Sequence, residues 1–186
     1  MGSLFSYFNG SLQDFLTHIK ETNENSLIKV RLASVSSGAL TELSSAGVDN
    51  RFYHVLDNFA VNHIITKHTN EKEVLRGQAI LQESDFLLIP HIVSNYDSIQ
   101  IENVKNKTTV LYSKECYDSI YYYIEEIRKG RHELAGVTFY KRKKKLTDAE
   151  SPADSADSGF ASFSKKTHRR KELNSAISGF AFFLQR

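Results

Sequence analysis

The sequence has one cysteine, Cys116, among 186 residues. No internal disulfide can form, and no cysteine-rich metal motif is present. Cys116 therefore reads as a strand-end structural thiol. No apolar run approaches the ~20 residues that a membrane-spanning helix needs. The opening residues MGSLFSYFNGSL lack the basic start and long apolar stretch of a secretory signal. The expected compartment is thus the reducing cytoplasm, the exception being a toxin exported without such a signal. Also missing are a phosphate-binding glycine loop followed by Lys-Ser/Thr, a dinucleotide fingerprint and a HExxH zinc motif. His63 and His68 are five apart, a spacing that does not set two metal ligands squarely on one helical face.

What is present suits a soluble globular core, with 40% hydrophobic and 11% aromatic residues. The net charge of +2 hides a split. Up to Tyr140 there are 13 Lys and Arg against 17 Asp and Glu, a net −4; from Lys141 onward there are 11 against 5, a net +6. Residues 1–145 are expected to form one α+β domain. Residues 146–186 begin with TDAESPADSADSGFASFS composition after a Lys/Arg run. They read as a low-complexity linker and basic tail without a core of their own. Such a tail either solubilises the chain or favours an anionic partner such as nucleic acid. The near-repeat of SGFASF and SGFAFF is a weak signal for docking on another protein.

Along the chain, Leu12, Phe15, Leu16 and Ile19 recur at helical spacing behind Ser11, with Asp14 three residues on as a capping partner. Residues 27–35 alternate and predict a strand. Residues 39–45 predict a turn or two of helix, closed by Gly47 with Asp49 and Asn50. The densest stretch is 54–68, HVLDNFAVNHIITKH, with three of the seven histidines. Asp57 or Asn58 caps a helix running to about Thr69. Val61, Ile64, Ile65 and His68 share its apolar face, and His63 and Lys67 lie on an adjacent one. Pro90 marks the first turn of a further helix, because a proline inside one costs ~3 kcal/mol.

From Ser98 to Lys141 the period changes to two. Four strands with short links predict an antiparallel meander. The predicted fold is α+β: an N-terminal strand and helices packed on a four-stranded antiparallel sheet. If residues 130–132 form the last hairpin loop, Lys129 pairs with Glu133 and Glu126 opposes Gly136. That register gathers Glu126, Arg128, Thr138 and Tyr140 on one face, together with Gly136.

These side chains form a metal-free set suited to RNA transesterification. There the ribose 2′-hydroxyl is the nucleophile, and the protein supplies an acid, a base and stabilisation of the phosphorane charge. The same residues also suit an ordinary core helix with histidines at its wet edge, beside a plain cross-strand Glu–Arg pair. His18, His54, His91 and His132 read as structural or solvent-facing, though His54 could approach the same cleft.

The order of motifs resembles the phage-associated nuclease domains of the barnase–EndoU–colicin–RelE superfamily, the PBECR families. The matching pieces run through most of residues 30–141: Ala46-Gly47-Val48-Asp49; His63-Ile64-Ile65-Thr66-Lys67-His68; Arg76-Gly77-Gln78; Asp85-Phe86 with Ile89-Pro90 and Ile92; Asp97-Ser98-Ile99; Tyr123 to Arg128; and Thr138-Phe139-Tyr140-Lys141. The resemblance implies a barnase/RelE-like fold and a metal-independent endoribonuclease without cofactors. It is consistent with a phage-borne or toxin effector that meets a cognate inhibitor protein. Carried onto this sequence, it implies His68, Glu126, Thr138 and Tyr140 as the catalytic group. His63, Lys67, Arg128 and Lys141 would contact RNA phosphate, Glu126 being preferred over Glu125 because Ile-Arg follows it. The alternatives are a catalytically inactive RNA- or protein-binding module of the same fold, and a structural phage component docked through its tail.

Overall fold

The computed structural model describes residues 5–22, 25–104 and 106–144. The expected linker and tail lie outside them. In chain order, β1 (Phe5–Tyr7), α1 (Leu12–Glu21), β2 (Leu27–Ser34) and α2 (Ser37–Leu43) come first. Then follow β3 (Tyr53–Asp57), α3 (Asn58–His68), α4 (Lys72–Leu75) and α5 (Ile89–Ser94). The last described elements are β4 (Ser98–Val104), β5 (Lys107–Cys116), β6 (Ser119–Arg128) and β7 (Glu133–Lys143). No helix among the described residues is long and apolar enough to cross a membrane.

Local chemistry explains the helix starts. The Ser11 side chain accepts from the Asp14 N–H while Asp14 caps the Ser11 N–H, a reciprocal cap worth about 1 kcal/mol. Pro90 sits in the first turn of α5, where its missing N–H has no partner to lose. Phe15 and Leu16 of α1 and Ile89, Ile92 and Val93 of α5 are buried. Each large apolar side chain taken from water contributes roughly 1.5–3 kcal/mol.

The meander of β4 to β7 forms as expected, but the sheet is larger than four antiparallel strands. It is mixed and seven-stranded, in the order β1-β2-β3-β7-β6-β5-β4. β3 joins β7 in parallel, β2 adds antiparallel to β3, and β1 adds parallel to β2. The hairpin register is also corrected. Arg128, not Lys129, pairs with Glu133, and Gly136 opposes Glu125 rather than Glu126. A bulge then absorbs Val137, so that Ile124 opposes Thr138 and Tyr122 opposes Tyr140.

The sheet has two unlike faces. Leu56, Val110, Tyr112, Tyr123, Leu134 and Phe139 point into the hydrophobic core with the helices. Val55, Leu111, Tyr122, Ile124, Ala135 and Tyr140 are buried but stand outside that core. Strand alternation puts them on the opposite face, with Glu126, Arg128 and Thr138.

Pairing of β3 with β7 ends at Val55–Ala135. Asp57 then caps α3 by accepting from the Ala60 N–H at 2.8 Å. Asn58 locks the junction, accepting from the Ile28 N–H and donating to the Ser26 carbonyl. α3 therefore runs beside the half of β7 that β3 leaves unpaired. Ala79 bridges to Lys141 farther along that edge, and the Leu81 N–H bonds the His68 carbonyl.

Candidate active site

α3 carries Val61 and Ile64 into the core and delivers His68, at its last turn, to the edge of β7. His68 is buried, and both of its ring nitrogens are engaged. Nδ1 lies 2.7 Å from Glu73 Oε2, and Nε2 lies 3.0 Å from Thr138 Oγ1. A carboxylate only accepts, so Glu73 holds the proton on Nδ1; in the neutral ring Nε2 then accepts from the Thr138 hydroxyl. Glu73 is itself fully buried and takes a second bond from Arg76 at 2.8 Å. The imidazole is thus held from behind and aimed at the sheet.

Tyr140 completes this corner. Its ring centroid is 6.0 Å from that of His68, and it stacks on Tyr122 at 5.0 Å. Its hydroxyl is buried with no hydrogen-bond partner among the described residues. Burial pushes that hydroxyl up, against a smaller opposing effect of Arg142. Such an unpartnered hydroxyl is an exception among buried polar groups.

Farther along the same face, Glu126 lies between two cations, 3.3 Å from Lys107 and 3.6 Å from Arg128. Arg128 is also 3.8 Å from Asp57, and so links the sheet to the cap of α3. Glu126 is a diagonal neighbour of Thr138 across the β6–β7 ladder. On α3, His63 is half-buried and Lys67 exposed. Burial lowers the His63 imidazole below 6.5, and the nearby charges of His68 and Lys67 lower it further.

Five of the eight residues singled out from sequence therefore lie along this edge and face of the sheet: His68, Glu126, Arg128, Thr138 and Tyr140; His63 and Lys67 stand on α3 in the two turns before His68. Lys141 does not join them. It pairs with Tyr121 on the core face and is tied to Asp85 at 2.7 Å, which also accepts from the Tyr121 hydroxyl. His54 does not approach the cleft either. It is fully buried on the core face, with Nδ1 2.8 Å from the equally buried Glu125. Burial raises the Glu125 carboxyl, opposed by the charge and hydrogen bond of His54. Of the two adjacent glutamates, only Glu126 reaches the Thr138 face.

Glu73 is the residue that sequence reasoning missed. It follows His68 by five positions and lies beyond the helix end, in a run that also offers Glu71. No periodicity separates the two. The only sequence cue is Arg76, one turn on, which supplies its second partner.

A family model described as phage-Barnase-EndoU-ColicinE5/D-RelE like nuclease 3 matches residues 33–149. The match begins inside β2 and takes in β3 to β7 with every residue of the corner described above. No curated protein and no solved structure matches the chain. Since the matched span is well over half of the sequence, the chain belongs to the phage-Barnase-EndoU-ColicinE5/D-RelE like nuclease 3 family.

Proposed function

We propose that the protein is a metal-independent endoribonuclease that cleaves RNA through attack of the 2′-hydroxyl on the adjacent phosphate. The observation that carries this reading is His68, set between Glu73 and Thr138 on the face that also holds Glu126 and Arg128. Glu126 takes the proton from the 2′-hydroxyl. His68, entering as the imidazolium with its Nδ1–H on Glu73, gives the Nε2 proton to the departing 5′-oxygen and is left as the neutral ring. Thr138, the Tyr140 hydroxyl and Arg128 meet the charge that builds on the phosphorane. Each positioned proton transfer contributes roughly 10²–10⁴-fold.

The decisive experiment incubates the purified chain with mixed RNA in excess EDTA, wild type beside His68→Ala. The expected result is cleavage by the wild type and a loss of about 10²-fold or more in the variant. Equal cleavage by both, or none by the wild type, defeats the proposal. Products ending in 2′,3′-cyclic phosphate identify the transesterification route.

A second reading is favoured by one observation: His68 is 5% exposed with both nitrogens bonded, as a structural histidine would also be. In that case the fold is a non-catalytic RNA-binding module. It predicts salt-sensitive binding without products.

A further inference from the structure

The face that carries Thr138 and Glu126 continues past the catalytic corner. Through the pairings Tyr53–Glu133, Arg31–Val55 and Tyr7–Lys29 it extends across β3 and β2 to the edge strand β1. There the exposed Arg31 guanidinium lies 3.8 Å from the centre of the Tyr53 ring and 5.2 Å from that of Tyr7. The rings are held beneath it. The Tyr7 hydroxyl is 2.7 Å from the Tyr53 hydroxyl and donates to Glu133 at 2.7 Å. Glu133 is in turn fixed by the buried Lys29 Nζ at 2.8 Å. Glu133 thereby neutralises Lys29, whereas Arg31 makes no ion pair among the described residues.

We infer that Arg31, stacked on Tyr53 and Tyr7, is a second RNA-binding subsite that takes a nucleotide flanking the scissile one. The inference rests on the ribonucleotide substrate proposed above. Three features point to that ligand. The guanidinium is planar and pre-stacked, so its outer face offers a base the platform that RNA-binding proteins build from aromatic and arginine planes. Its charge is uncompensated and exposed, which suits a phosphodiester strand. Its place on the sheet, two strands across from β7 and about three residues along, puts it roughly 15 Å from Thr138. That separation suits a neighbouring nucleotide of the same strand, not the reacting one. Tyr7 and Arg31 lie outside the span that the family model matches, whereas Tyr53 and Glu133 lie within it.

The test is fluorescence anisotropy with 2′-O-methyl RNA, whose capped hydroxyl blocks cleavage. An octanucleotide spans both sites, and a dinucleotide reaches one. The full chain with Arg31→Ala should bind the octanucleotide at least fivefold more weakly and the dinucleotide unchanged. Arg31→Lys keeps the charge but not the plane, and should recover less than half of the loss. Arg51→Ala, at an exposed arginine elsewhere, should bind as wild type. Unchanged octanucleotide binding by Arg31→Ala overturns the subsite, and full recovery by lysine overturns the stacking role. Wild-type protein that binds the octanucleotide but cleaves no RNA defeats the proposed activity alone. Wild-type protein that binds neither oligonucleotide defeats both.

Discussion

His68 Nδ1 and Glu73 Oε2 are 2.7 Å apart, inside a pocket where Glu73 has no exposed surface. Glu73 does not reach the sheet face, so it acts through the imidazole as a positioning residue. Glu73→Gln should lower kcat by on the order of 10²-fold, as misplacing a reacting group does, and leave KM nearly unchanged. Steady-state kinetics across pH would check this. A purely structural role would lower the melting temperature without moving the pH profile or separating kcat from KM.

His63 should titrate below 6.5, because burial first, and then the charges of His68 and Lys67, favour its neutral form. A histidine lowered in this way stabilises the fold above 6.5, and that contribution is lost as pH falls through the lowered value. His68→Asn should raise the His63 midpoint toward 6.5 without reaching it, since burial is the larger cause. Imidazole resonances followed by NMR from pH 4 to 8 would read both midpoints. A His63 midpoint at or above 6.5 in the wild type would contradict the assignment.

Lys29 and Glu133 form an ion pair with neither side chain exposed. Removing one partner strands the other charge. Lys29→Met alone should destabilise the fold by about 3–5 kcal/mol. The double variant Lys29→Met with Glu133→Leu should recover most of that loss, because the desolvation cost of both ions disappears. Urea unfolding of the three proteins tests this. A double variant no more stable than Lys29→Met would refute it.

Gly136 has no room for a methyl group. A Cβ there would come within 2.8 Å of Leu56 Cδ1 and still closer to the Tyr123 hydroxyl, which is packed in the core. Gly136→Ala should therefore cost about 1–3 kcal/mol, seen as a lower urea midpoint at unchanged slope. An unchanged midpoint would mean that Tyr123 moves aside freely.

Much of this arrangement is legible in the sequence because it follows local rules. The caps at Ser11 and Asp57, the proline start of α5 and the alternation of the meander each depend on residues a few positions apart. So does the face shared by Ile64 and His68. Other features are not local. β1 is only three residues long, too short for periodicity to register. The parallel joining of β3 to β7 depends on contact between chain segments about 80 positions apart. Parity separates Glu125 from Glu126, but only the fold shows that the Glu125 side is the buried one, where His54 waits. Lys141 differs: alternation alone sets it on the face opposite Tyr140, and the fold adds that Asp85 takes its charge there.

Val137, the extra residue in β7, has a consequence for how this hairpin tolerates change in length. Because one residue stands unmatched, Glu133 and Ala135 share a side with Thr138 and Tyr140 although the numbers change from odd to even. Deleting Val137 would leave a regular hairpin with every partner retained. Deleting or inserting one residue between Thr138 and Tyr140 would instead turn one of them into the core. Length variants of this segment are thus divided into two kinds: at Val137 the register survives, and two residues away it is lost.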